Sequence, residues 1–119
     1  MPNEKNENEV KKIAENKAFS KEKLEEYLKD LPDWKIIHED SVDKLTRQFT
    51  FNDFSEVLDF TQSMDNLTRE ENHPPVLKSS WAKVDVYWWT QAQAGIQEQD
   101  FQMAARCDQI YSKLMKSKS

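Results

Sequence analysis

The 119-residue chain has one cysteine, one glycine, two histidines and no long apolar run. With Cys107 alone, no intramolecular disulfide can form and no cysteine cage for a metal can be built, which fits a reducing compartment. No stretch approaches the ~20 apolar residues that cross a bilayer, so no transmembrane helix is expected. Basic charge is also in short supply. The 17 Lys and Arg against 22 Asp and Glu leave a net charge of −5. A duplex nucleic-acid binder needs clustered cations to displace counterions from phosphates, so nucleic acid is not expected as a direct partner. The segment MPNEKNENEVKKIAENK has no apolar core of a secretory signal. Its Glu4, Glu7, Glu9 and Glu15 are unlike acid-poor transit peptides. A cytoplasmic protein is expected, with an organelle as the alternative.

Apolar residues concentrate between Phe19 and Met115, at a length that supports one core and one domain. Residues 1–18, rich in Glu, Lys and Asn, offer nothing to offset the entropy of ordering them and read as a mobile tail. The ending 116–119, KSKS, reads the same way, leaving a single domain over 19–115.

Ser20 is a good N-cap, Phe19 and Leu24 suit a hydrophobic staple, and Leu24, Tyr27, Leu28 and Leu31 follow helical spacing. Pro32 stops that helix. Trp34, Ile36 and His38 alternate with Lys35 and Ile37 as a strand does. In 44–51, Leu45, Phe49 and Phe51 share one face, with Arg47 the exception, and Thr46, Gln48 and Thr50 share the other. Asp53 and Glu56 form a capping arrangement for a second helix marked by Phe54, Val57, Leu58, Thr61 and Met64, flanked by Phe60 and Leu67. Pro74 and Pro75 make 73–76 a loop or the start of an edge strand. Val84, Val86 and Trp88 alternate with Lys83, Asp85, Tyr87 and Trp89, and Gly95 punctuates the exit.

A last helix over about 97–114 carries two apolar stripes, Met103, Cys107, Ile110 and Leu114 beside Phe101, Ala104, Tyr111 and Met115. That arc is wider than one sheet contact needs and predicts a homo-oligomer. The order αββαββα predicts the α+β class, an antiparallel four-stranded sheet with three helices on one face.

The stretch 71–111, ENHPPVLKSSWAKVDVYWWTQAQAGIQEQDFQMAARCDQIY, resembles the core of the pterin-4a-carbinolamine dehydratases. That family shows His-His-Pro, an aromatic some six residues on, a V-x-V-x-W-W-T strand ending in a third His, a Gly, and D-F-x-x-A-A. Here His73, Pro75, Trp81, Val84, Val86, Trp88, Trp89, Thr90, Gly95, Asp100, Phe101, Ala104 and Ala105 stand in register. Upstream, Leu31-Pro32-Asp33-Trp34 and Phe49-Thr50-Phe51 also look like the family. The likeness covers roughly 20–115. It implies the αββαββα fold, a homodimer or homotetramer, and a pterin as substrate or ligand with no cofactor. The implied pocket is His73, Pro74, Trp81 and Gln91, with His73 as the catalytic acid/base group.

The departures from the pattern fall on the chemistry. Pro74 stands at the second His, Gln91 at the third, and Arg69 at an acidic position. Eliminating water from a 4a-hydroxytetrahydropterin needs one group to protonate the departing hydroxyl and another to take a proton from the ring system. Imidazoles suit both tasks, whereas proline has no polar side-chain atom and glutamine cannot titrate. Each such role is worth ~10²–10⁴ in rate. The first expectation is therefore a weakly active or non-catalytic relative, an oligomeric scaffold that binds a partner protein. Relatives with altered sites serve as RuBisCO assembly factors, and true dehydratases double as dimerisation cofactors of a transcription factor. The alternative is an active hydro-lyase that dehydrates 4a-hydroxytetrahydrobiopterin in pterin recycling.

Other chemistry-bearing residues read as structural. His38 is a strand-face residue. Trp88 is core, and Trp89, on the other face, suits an interface or pocket. Asp100 favours the first turn of the last helix through the macrodipole. Cys107 is an inert buried thiol. Glu70, Glu71 and His73 lack metal-ligand spacing, so no metal is expected.

Overall fold

The computed structural model describes residues 21–93 and 95–118. The expected tail 1–18, the Ser20 cap and the Phe19 staple lie outside the described residues. Helix α1 (Lys21–Leu28) precedes strands β1 (Lys35–Glu39) and β2 (Val42–Thr50). Helix α2 (Phe54–Glu71), strands β3 (Val76–Ser79) and β4 (Lys83–Trp88), a single 3₁₀ turn (Gln91–Gln93) and helix α3 (Glu98–Lys118) complete the order. The strands form one antiparallel sheet in the order β1-β2-β4-β3. The α+β expectation therefore holds, strand for strand.

Alternation along β2 and β4 places Leu45 opposite Trp88 and Phe49 opposite Val84, with Arg47 opposite Val86 between them. Leu45, Phe49, Val84, Val86 and Trp88 are all buried and meet Val57, Phe60, Met64 and Leu67 from α2, and Phe101, Met103, Ala104 and Cys107 from α3. Phe49, Phe51 and Phe60 cluster with Tyr111, ring centroids 4.9–6.3 Å apart. Large rings in such a cluster supply much of the apolar burial that offsets chain entropy.

Several expectations are corrected. On α2 the buried stripe is Val57, Phe60, Met64 and Leu67, while Phe54 and Leu58 are 49% and 53% exposed. The two exposed residues sit four apart, about a third of a turn around the helix from the stripe, so the apolar run was broader than the face that packs. The segment 116–119, expected as tail, continues α3 as far as Lys118, because Lys and Ser need no packing to extend a helix already held by its apolar half. Strand β2 begins two residues earlier than expected and ends at Thr50. Phe51 lies just beyond it, donating its amide to the Ala82 carbonyl.

The wide apolar arc of α3 is largely used within the chain. Phe101 stacks on Tyr27 of α1 at 4.7 Å between centroids, and Tyr111 packs in the phenylalanine cluster. One helix therefore serves two intramolecular neighbours on adjacent faces, and its width alone does not require a second subunit.

Arg47, the charged residue on the core face of β2, is explained by α3. Its Nη1 lies 2.6 Å from Asp108 Oδ1, which also accepts the Trp34 indole N–H at 2.9 Å. The guanidinium lies 4.3 Å from the Phe49 ring centroid. The stem and plane of an arginine cover apolar surface while the fork is paired.

Candidate functional site

The site forms where α2 ends and α3 begins, beside the last residues of β4. Asp53 caps α2 at its start, accepting the Glu56 amide at 2.9 Å, while Glu56 reaches back to the Asn52 amide at 2.7 Å. At the other end Asn72 takes the left-handed conformation, φ 51°, and donates its amide to the Thr68 carbonyl at 2.8 Å. Asparagine tolerates that region better than most residues, so the helix stops there and the chain turns. His73 follows, held extended by the proline after it.

His73 points into the molecule. Its side chain is 13% exposed, and Nε2 lies 2.6 Å from Oδ1 of Asp100, which is fully buried. Its ring stacks on Trp88 with centroids 5.6 Å apart and planes 13° from parallel. Trp88 is in turn anchored, donating Nε1 to Cys107 Sγ at 3.2 Å.

Asp100 sits at the third residue of α3, where an acid can accept the amide of the residue that caps the helix. The Gln97 amide reaches Oδ2 at 2.8 Å and the Thr90 hydroxyl reaches the same oxygen at 2.9 Å. A buried carboxylate is costly unless hydrogen bonds satisfy it, and these two donors at Oδ2, with the His73 ring against Oδ1, do so. Thr90 is fixed by its own main chain, which exchanges hydrogen bonds with Gly95 at 2.8 and 3.3 Å and closes the turn that carries Gln91. Gly95 is buried, so its part is close backbone approach.

The four residues expected to line a pocket are not all brought together. Pro74 adjoins His73 and is exposed, and Gln91 adjoins Thr90 and is exposed. Trp81, 71% exposed, lies in the β3–β4 turn. The strand register runs from Val76 opposite Tyr87 to Ser79 opposite Val84, so Trp81 stands at the far end of the hairpin from His73. Within this chain the geometry gives Trp81 no part in the His73 site. Asp100, read from sequence as a macrodipole acid, caps the helix and also holds the imidazole. Its position in the D-F-x-x-A-A segment was the available signal, but spacing alone could not show that the first turn of α3 faces the end of α2.

Chemically the cluster offers one imidazole with a fixed partner and a partly open edge, able to donate or accept a proton. Among the described residues no group of three or more His, Cys, Asp or Glu is placed to hold a metal ion.

The model of the family described as pterin 4 alpha carbinolamine dehydratase matches residues 17–110. The chain belongs to that family. A Chlorobium luteolum protein named provisionally as a pterin-4-alpha-carbinolamine dehydratase is 46% identical over 90 residues, 76% of this chain and 79% of that protein. One from Marinobacter nauticus, named in the same way, is 42% identical over 84 residues, 71% and 76% of the two chains. A crystal structure of a transcriptional coactivator/pterin dehydratase from Brucella melitensis superposes with a TM-score of 0.72 at 27% identity, covering 78% of this chain and 97% of that one. A pterin dehydratase-like protein identified as a RuBisCO assembly factor in the alpha-carboxysome shares the fold, with a TM-score of 0.58 at 18% identity over 66% of this chain and 89% of that one. In this dehydratase family member, the segment that resembles the family's core in sequence is the one that presents His73 to Asp100.

Proposed function

We propose that the chain is a slow pterin-4a-carbinolamine dehydratase, a hydro-lyase that eliminates water from a 4a-hydroxytetrahydropterin with one imidazole. The observation that carries this reading is the 2.6 Å contact between His73 and the buried Asp100. An imidazole retained only as loop filler would not need a desolvated carboxylate to orient it. Pro74 and Gln91 supply shape and a hydrogen bond but no titrating group, so proton transfer rests on His73 and on water.

Purified protein should speed the loss of the carbinolamine above its rate in buffer, and His73→Ala should return it to the buffer rate. Restoring imidazoles with Pro74→His and Gln91→His should raise the rate by ~10²–10⁴ per role recovered. If the wild type matches buffer and calorimetry detects no pterin binding, the reading is lost.

A second reading, an oligomeric scaffold for protein partners, is favoured by Phe54 and Leu58, two large apolar side chains left about half exposed on one helix. The assembly factor shares only the fold, so it names no partner here. In either reading we place the protein in the cytoplasm, supported by its single buried thiol and by the absence, among the described residues, of a helix long and apolar enough to cross a membrane.

A further inference from the structure

The two oxygens of Asp100 have different partners. Among the described residues Oδ1 faces only His73, and Oδ2 receives both the Thr90 hydroxyl and the Gln97 amide. An ionised carboxylate accepts and never donates, so the imidazole nitrogen that faces it must carry a hydrogen. In the neutral ring the lone pair is then on Nδ1. Trp88 stacks on the ring and holds its plane, and a half-turn about the Cβ–Cγ bond, which restores that plane, would put a carbon where Nε2 now stands, forfeiting the contact.

We propose that Thr90, the Gln97 amide and Asp100 form a positioning relay that keeps the proton of neutral His73 on Nε2 and leaves Nδ1 to exchange protons with a bound pterin. The assignment of Nδ1 to the pterin rests on the dehydratase reading, whereas the tautomer rests on geometry alone. Thr90 and Asp100 act through His73 and are positioning residues.

The relay makes an unusual demand on Asp100→Asn. The Gln97 amide is a main-chain donor that cannot reverse, so the oxygen of the new side-chain amide must occupy the place of Oδ2. Its NH₂ then faces Nε2, which has to accept, and the ring proton moves to Nδ1. A nearly isosteric change should thus invert the tautomer of His73.

The test is ¹⁵N NMR of the full chain with labelled histidine, at a pH where the rings are neutral, with His73→Ala identifying its signals against those of His38. The wild type should carry the proton on Nε2 and Asp100→Asn should carry it on Nδ1. The Nε2 proton should broaden through exchange with water in Thr90→Val and sharpen again in Thr90→Ser, a rescue that a role in packing alone would not give. A wild-type proton on Nδ1, an unchanged tautomer in Asp100→Asn, or an unaltered Nε2 proton in Thr90→Val overturns the relay. Should the tautomers behave as stated while no pterin is bound or turned over, the relay stands and the dehydratase reading falls. Undiminished turnover in Asp100→Asn, despite an inverted tautomer, overturns the assignment of Nδ1.

Discussion

At the scale of single residues, burial decides which groups are available for chemistry. Cys107 is fully buried between Trp88 and Met64, and desolvation pushes its thiol from an ordinary 9.0 up to about 12, against the opposing hydrogen bond from Trp88. The folded protein should not react with a thiol reagent at pH 8 and should react once denaturant unfolds it. The sign of the pH effect follows from the raised value. Below pH 9 both states hold the proton and the thiol's contribution is intact. Between about 9 and 12 the unfolded chain releases a proton that the folded one keeps, so stability falls on the order of 1 kcal/mol per pH unit from this group. Denaturant unfolding of the wild type and Cys107→Ala from pH 8 to 11 checks this, because the alanine variant should lose stability more slowly. Parallel loss in the two proteins would rule out the buried thiol as a contributor.

At the scale of elements, the joint between β2 and α3 depends on a charge pair inside the helix-facing layer. Asp108 serves both Arg47 and Trp34, and Arg47 is 16% exposed. Asp108→Ala would leave the guanidinium, among the described residues, with Asp33 as its one carboxylate, 3.7 Å away, and the Trp34 N–H without its acceptor. Stripping one partner from such a pair costs about 3 kcal/mol. Urea unfolding should show that loss in Asp108→Ala, and Asp108→Leu combined with Arg47→Met should recover part of it. The sequence marked Arg47 as out of pattern but could not name Asp108, 61 residues away. The same limit runs through the rest of the chain. Strand alternation and the Asp53 and Glu56 cap were readable because their partners are near in sequence or fixed by a period of two. The meeting of His73 with Asp100, and the stacking of Tyr27 on Phe101, depend on how helices are set against the sheet, and no local pattern encodes that. Trp81 shows the complementary limit. Its register with the family motif suggested a pocket wall, whereas within one chain the hairpin register sets it at the far end from His73.

At the scale of the whole molecule, the open question is what covers the apolar surface that the chain leaves exposed. The sequence placed the excess on α3, but Phe101 and Tyr111 are occupied by α1 and the phenylalanine cluster, and Ile110, Leu114 and Met115 are half-buried against the core. Besides Val76 and Trp81 in the β3–β4 hairpin, the exposed large apolar side chains among the described residues lie on α2, where Phe54 and Leu58 form an adjacent pair one helical turn apart, both about half accessible. Side chains of that size lose more by facing water than by packing on a second copy, each worth about 1.5–3 kcal/mol when fully buried. A homo-oligomer that uses α2 should sediment above the monomer mass at micromolar concentration. Leu58→Lys should shift it to monomer without lowering the unfolding midpoint of the monomer itself, since the residue is not in the core. Leu114→Lys, by contrast, should destabilise each chain. If Leu58→Lys leaves the mass unchanged while Leu114→Lys dissociates a well-folded protein, the interface is on α3 and the original reading of that helix is correct.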